Sequence, residues 1–244
     1  MPYFDSHCHL QDPRFQGRIP ELLGRARAAG VQHLVCCGTR EQDWDRVLDL
    51  ARDHAGIVPM LGLHPWYVAA APGWLDRLRS RLNSARAGLG ECGLDFAPGR
   101  PERALQEAAF TAQLALARDL DRPLAIHCVR AWGRLLALLR QIGLPRAGAM
   151  VHGFSGSREV AAELQGLGVH LSFSGPGRPG VLAAVAAEWL LLETDAPFGP
   201  GPSHEPADLA LLLPAAAAAR GGAASALAAQ VQSNGQRLFG SLMA

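Results

Sequence analysis

Six side chains able to bind a metal recur at the ends of apolar runs. His7 and His9 lie in Phe4-Asp5-Ser6-His7-Cys8-His9-Leu10 and Glu91 in Gly90-Glu91-Cys92-Gly93-Leu94-Asp95-Phe96. His127 ends Pro123-Leu124-Ala125-Ile126-His127, His152 follows Val151, and Asp195 closes Leu190-Leu191-Leu192-Glu193-Thr194-Asp195. Side chains two apart on a strand share a face, so His7 and His9 project together and Cys8 points the other way into packing. Two neutral imidazoles aimed at one point form half of a metal site. Taken singly, each of the six also reads as a hydrogen-bonded strand-end histidine or a charge where the chain meets water. The joint pattern points to metal. Six ligands exceed the four of one tetrahedral ion. They suit two divalent ions roughly 3.5–4 Å apart with one carboxylate bridging. Histidine and carboxylate without thiolate suggest Zn, Mn, Mg or Co.

The elements that must position these residues alternate from end to end. Strands are expected over the first run and over residues 31–37, 57–63, 88–94, 124–129, 149–154, 169–174 and 190–194. Helical periodicity follows each of them, over 19–29, 41–54, 74–85, 101–120, 132–142, 157–167, 180–187 and, as two helices, 205–239. The strands are short and continuously apolar, as parallel strands buried on both faces are. Eight such units of about 30 residues predict an α/β fold, a TIM-like (β/α)₈ barrel, in which sites form at the C-terminal ends of the strands. A doubly wound sheet lacks its G-x-G-x-x-G turn. The expectation is a single domain, residues 1–244, with the loop 199–203 as a lip over the site.

The bulk numbers fit an enzyme of this size. A chain of 244 residues, 49% hydrophobic, can bury a large core. The net charge of +1 excludes a global basic field as the means of holding nucleic acid. There is no lysine, which removes Schiff-base chemistry and a carbamylated-lysine bridge. Cys8, Cys36, Cys37, Cys92 and Cys128 lie in apolar runs without C-x-x-C spacing and read as reduced buried thiols. No leader-like segment or membrane-length apolar run appears. The expectation is a cytoplasmic monomer that does not engage membranes.

The motifs, in this order, resemble the TatD family of metal-dependent deoxyribonucleases, within the amidohydrolase superfamily. They are D-S-H-C-H-L from Asp5, G-L-H-P from Gly62, G-E-C-G-L-D-F from Gly90 and Q…F…Q-L-A-L-A from Gln106. P-L-A-I-H from Pro123, H-G-F-S-G-S from His152, L-L-L-E-T-D-A-P from Leu190 and N-G-Q-R-L-F-G from Asn234 complete the set. The resemblance implies one metal site of His7, His9, Glu91 and Asp195 and a second of Glu91, His127 and His152, with Glu91 bridging. It also places His64 near the scissile phosphate. Asp95 reads equally as support for the site or as a substrate contact. Glu193, deeper than Asp195 on its face, reads as structural. The chain departs from the family where Cys128-Val129-Arg130 replaces a Ser-Arg, and Arg130 reads either as supplying the guanidinium from a shifted position or as a solvated side chain. It departs again where Ser203-His204-Glu205-Pro206 keeps Glu-Pro but has His204 in place of an arginine.

The function these features imply is metal-dependent hydrolysis of DNA, single-stranded or at 3′ ends, with Asp195 as general base for the attacking water. Two other readings fit the same residues. One is hydrolysis of another ester or an amide, in a small molecule or an aminoacyl ester. The other is a metal-binding adaptor with little turnover.

Overall fold

Each apolar run folds as a strand and hands the chain to a helix, in a computed structural model that describes residues 2–69, 71–175, 180–202 and 204–243. The order is β1 (Tyr3–Cys8), α1 (Ile19–Ala28), β2 (Val31–Cys37), α2 (Glu41–Asp53), β3 (Ile57–Leu61), α3 (Trp74–Ser84), β4 (Gly88–Asp95) and α4 (Arg103–Asp119). It continues through β5 (Leu124–Val129), α5 (Trp132–Ile142), β6 (Ala149–Val151), α6 (Arg158–Gly166), β7 (Val169–Phe173), α7 (Val181–Ala184), β8 (Leu190–Leu192), α8 (Leu209–Ala219) and α9 (Ala224–Phe239). Among the described residues the eight strands lie parallel and in sequence order. Asp195 N–H donates to His7 O at 2.9 Å and His9 N–H to Ala196 O at 2.7 Å, joining the last strand's extension to the first. This is the expected (β/α)₈ barrel.

Alternate residues build two cores. Phe4, Val35, Cys37, Val58, Met60, Ala125, Met150 and Leu191 pack with Leu238, Phe239 and Leu242 of the C-terminal segment. The intervening residues, such as Cys36, Leu61, Ile126 and Leu192, pack with the helices. No single helix among the described residues is long and apolar enough to cross a membrane.

In β3, β6 and β8 the strand stops sooner than the apolar run does because side chains take over its ladder. Asp5 accepts from Thr194 N–H at 2.9 Å and from Thr194 Oγ1–H at 2.5 Å, so β8 ends at Leu192. Gly153 N–H turns to Glu193 Oε1 at 2.7 Å, past the end of β6. Leu63 N–H turns to Gln113 Oε1, also at 2.7 Å, past the end of β3. These three places are where polar side chains gather.

Candidate metal centre

Strand alternation alone would not aim every ligand at the barrel mouth. In β1, Asp5 pairs with Leu34 and Cys8 with Cys36, three residues against two. In β4, Leu89 pairs with Leu124 and Cys92 with Ile126, again three against two. Each is a bulge, and each reverses which face the following residues occupy. Phe4 therefore faces the inner core while His7 and His9, three and five residues on, face the mouth. The glycines of Gly90-Glu91-Cys92-Gly93 make the second bulge possible. A Cβ on Gly90 would sit 2.7 Å from Ala125 Cβ, and one on Gly93 2.0 Å from His127 O. β5 and β6 need no bulge: Ala125 and Met150 face inward, and so do His127 and His152 two residues later.

The six predicted ligands come together. Glu91 is buried at their centre, and its two oxygens face different groups. Oε2 lies 3.4 Å from both His7 Nε2 and His9 Nε2. Oε1 lies 2.7 Å from His152 Nε2, 2.9 Å from His127 Nδ1 and 3.1 Å from His64 Nε2. Asp195 Oδ1 closes the first group, 3.4 Å from His9 Nε2 and 3.7 Å from His7 Nε2.

This donor set fits divalent cations. His7 Nε2 and His9 Nε2 face each other at 3.1 Å, and His127 Nδ1 and His152 Nε2 at 3.0 Å. Neutral imidazoles so placed present lone pair to lone pair unless a proton or a cation lies between them. The rings are oriented to leave those lone pairs free. His9 Nδ1–H donates to Cys37 O at 2.7 Å; a carbonyl only accepts, so Nε2 carries the lone pair. His152 Nδ1 lies 3.4 Å from Glu193 Oε1, and His127 Nε2 lies 3.6 Å from Asp95 Oδ2. An oxygen behind a metal-binding histidine is the usual means of fixing its ring.

His64 is wired the opposite way. Its Nδ1 accepts from Trp66 N–H at 3.2 Å, so Nε2 carries the proton and donates. Burial lowers its pKa to about 4, outweighing the nearby Glu91 charge, and keeps the ring neutral. Its ligand atom falls within reach of Glu91 and His127, but its tautomer makes it a hydrogen-bond donor rather than a ligand.

The electrostatics divide the cluster. Burial holds His7 below the ordinary histidine range. Burial also pulls on His9, His127 and His152, but carboxylates facing them win and raise all three. For His9 these are Asp195 and Glu91, for His127 Asp95 and Glu91, and for His152 Glu91 and Glu193. Burial opposes ionisation of Glu91 and Asp195, yet the surrounding imidazoles hold both low. Their side chains differ in access: Asp195 is 24% exposed and Glu91 3%, so only Asp195 presents a carboxylate to entering water.

The remaining predicted residues separate. Asp95 is buried and taken up by the protein. Its carboxylate accepts from Trp66 Nε1–H at 2.6 Å and Ala97 N–H at 3.0 Å, and pairs with Arg100 at 3.1 Å. Its Oδ2 also lies 3.6 Å from His127 Nε2. Arg130 follows β5 in a left-handed turn, φ 55°, and is exposed. It is not among the residues lining the cleft above the ligands, which matches the solvated alternative. Glu205 of the Glu-Pro pair turns to Arg25 on α1, with Nε–Oε1 at 2.9 Å, and caps the turn at Pro206. His204 Nδ1 pairs with Gly199 O at 3.0 Å and braces its own loop. The lip predicted over 199–203 is made one residue earlier, by Phe198, which lines the cleft; Ser203 lies outside the described residues.

Four supporting residues were not singled out in the sequence. Gln106 and Gln113 lie two turns apart on one buried face of α4. Gln106 bonds both backbone groups of Asp95, at 2.7 and 2.8 Å. Gln113 bonds both of Leu63, at 2.7 and 3.0 Å. One helix thus fixes the strand ends that carry Asp95 and His64, and an apolar replacement would leave two buried backbone groups unpaired. Buried glutamines seven apart in Q…F…Q were the available signal. Trp66 and Phe198 were legible only as aromatics beside Pro65 and Pro197.

The family model described as "TatD related DNase" matches residues 4–240. The "3'-5' ssDNA/RNA exonuclease TatD" of Klebsiella pneumoniae (strain 342) is 36% identical over 259 residues, 97% of each chain. The "Uncharacterized metal-dependent hydrolase YjjV" of Escherichia coli (strain K12) is 34% identical over 209 residues, covering 81% of this chain and 80% of that one. The crystal structure of YjjV, a TatD homolog, superposes with a TM-score of 0.92 at 31% identity over 98% of both chains.

Proposed function

The chain belongs to the family of TatD-related DNases, and on that premise we propose that it hydrolyses phosphodiester bonds of single-stranded DNA, from 3′ ends, at a centre of two divalent ions. One observation carries the reading: the two oxygens of Glu91 face separate groups of ligand atoms. In this proposal His7, His9, Asp195 and Glu91 would hold one ion, and Glu91, His127 and His152 would hold the other. The imidazole-rich set suits Zn, Co or Mn better than Mg, which prefers oxygen.

Bound divalent ions supply Lewis acidity, lowering the pKa of water and offsetting charge on the phosphoryl oxygens. Asp195, ionised and open to the cleft, takes the proton of the attacking water. His64 donates its Nε2–H to a non-bridging phosphate oxygen, giving up its contact with Glu91 on substrate binding. Asp95 and Glu193 hold the rings of His127 and His152 in register. All these residues come from one chain, which supports action as a monomer. The five free, buried cysteines suit a reducing compartment, and we assign the protein to the cytoplasm.

The test is hydrolysis by purified protein across Zn, Mn, Mg and Co. The substrates are a single-stranded oligonucleotide, its 3′-blocked counterpart and a panel of carboxylic esters, lactones and amides. Mononucleotide release from the unblocked oligonucleotide is expected, with the blocked one spared. Intact DNA beside cleavage of the ester or amide panel would replace the nuclease reading with the small-molecule one.

A further inference from the structure

We propose that the rim of the cleft is a base-stacking cradle for single-stranded polynucleotide, with one arm beside His9 and one beside His64. The proposal rests on the phosphodiester reading above and adds what that reading lacks, a means of holding the strand.

Among the described residues, the large hydrophobics left exposed are Trp66, Tyr67, Leu105, Phe198 and Leu211. The three aromatics of this group, exposed by 40%, 37% and 55%, all line the one cleft above the ligand cluster. They meet different histidines of the site. Phe198 meets the edge of His9 with ring centroids 5.5 Å apart, and Trp66 meets His64 at 4.8 Å. A phosphate over the cluster would thus have aromatic rings beside both His9 and His64.

Each ring is paired with an arginine from a neighbouring loop. Arg14 Cζ lies 4.2 Å from the Phe198 centroid, Arg40 5.2 Å from Tyr67 and Arg100 3.9 Å from Trp66. These residues follow β8, β1, β2, β3 and β4, which are neighbours around the barrel, so they form one continuous arc. Each guanidinium is also tied to an aspartate: Arg14 to Asp12 at 2.8 Å, Arg40 to Asp43 at 3.4 Å and Arg100 to Asp95 at 3.1 Å. The pairs hold the planar groups in place before any ligand arrives, and they cancel the arginine charge.

That cancellation selects the occupant. A double helix is held through its phosphates by unpaired cations, and this rim and a net charge of +1 provide little of that. Flat rings and guanidinium planes bind the faces of bases, and those faces are free only in an unstacked strand. The aromatics contact bases and not sugars, so DNA and RNA single strands should gain alike.

The experiment uses the metal-loaded full chain and fluorescein-labelled phosphorothioate decamers, which resist cleavage, read by anisotropy. The ligands are oligo-dT, its RNA counterpart and an abasic strand of equal length. The wild type should bind both base-bearing strands well above the abasic one. Phe198→Ala and Tyr67→Ala should each weaken the base-bearing strands by roughly 5- to 100-fold and leave the abasic strand unchanged. Trp66→Phe, which keeps a ring but loses the bond to Asp95, should retain most of the affinity that Trp66→Ala loses. Equal binding of abasic and base-bearing strands by the wild type, equal weakening of both by the alanine variants, or a loss confined to one sugar would overturn the cradle. The two readings fail separately: discrimination without hydrolysis of any nucleic acid sinks the nuclease function alone, and hydrolysis without discrimination sinks the cradle alone.

Discussion

Glu91→Gln is expected to lower kcat/KM on single-stranded DNA by about a thousandfold or more, and added metal should not restore it. The amide keeps the volume and one acceptor oxygen. It removes the charge that serves both ligand groups and replaces the other oxygen with an NH₂ that donates and cannot ligate. A metal centre contributes several kcal/mol of charge stabilisation in such a transition state, and each ~1.4 kcal/mol is about tenfold in rate. Burial sharpens the effect, because the Glu91 side chain is 3% exposed and is packed among the ligand histidines, so no other carboxylate stands where its second oxygen lies. Steady-state kinetics over a wide metal range measure this. Recovery of wild-type turnover at high metal concentration would show that Glu91 only tunes the affinity for one ion.

Asp195→Asn is expected to act on turnover more than on binding. A general base contributes about 10²–10⁴-fold, and the amide cannot take a proton. The kcat should fall by that range while KM for the oligonucleotide changes little, because the stacking arc and His64 remain. The pH profile separates this role from ligation. The imidazoles around Asp195 hold it below the usual carboxylate range, so the wild type keeps an ionised base at neutral pH and loses it only as pH falls through that lowered value. The residual activity of the variant should lack this acid limb. A variant that retained the wild-type kcat with an unchanged profile would remove Asp195 from the proton transfer.

Most of the architecture and the ligand cluster were legible in the sequence, because both rest on simple periodicities. Val31–Cys37 and Leu124–Val129 are apolar runs without internal competitors, and they fold over those residues. The run ending at Thr194 stops earlier because Asp5, distant in sequence, takes its backbone bonds. His7 and His9 share a face as spacing two requires, but their facing the mouth depends on a bulge that spacing does not encode. Glu91 depends on another. His64 was placed near the scissile phosphate by its motif alone; its donor role follows only from the Trp66 amide on its Nδ1. Asp95 and Glu205 sit in motifs as plain as those of the ligands, yet both are consumed by arginines and backbone amides of their own protein. A motif reports that a carboxylate is needed at a position, and the partner that needs it appears only once the elements are packed. Arg130 was invoked to replace a missing charge, and the left-handed turn after β5 leaves it exposed and off the cleft lining.

If one buried carboxylate, Glu91, joins two cation sites, the number of cations bound per chain must show it. Metal-free protein titrated with Zn, Co or Mn by calorimetry, with the bound metal then measured by elemental analysis after desalting, gives that count. Binding should release protons near neutral pH, because cations displace those held by His9, His127 and His152. Two ions per chain are expected in the wild type and fewer than two in Glu91→Gln. A saturated wild type that holds one ion per chain and is fully active in that form would contradict this.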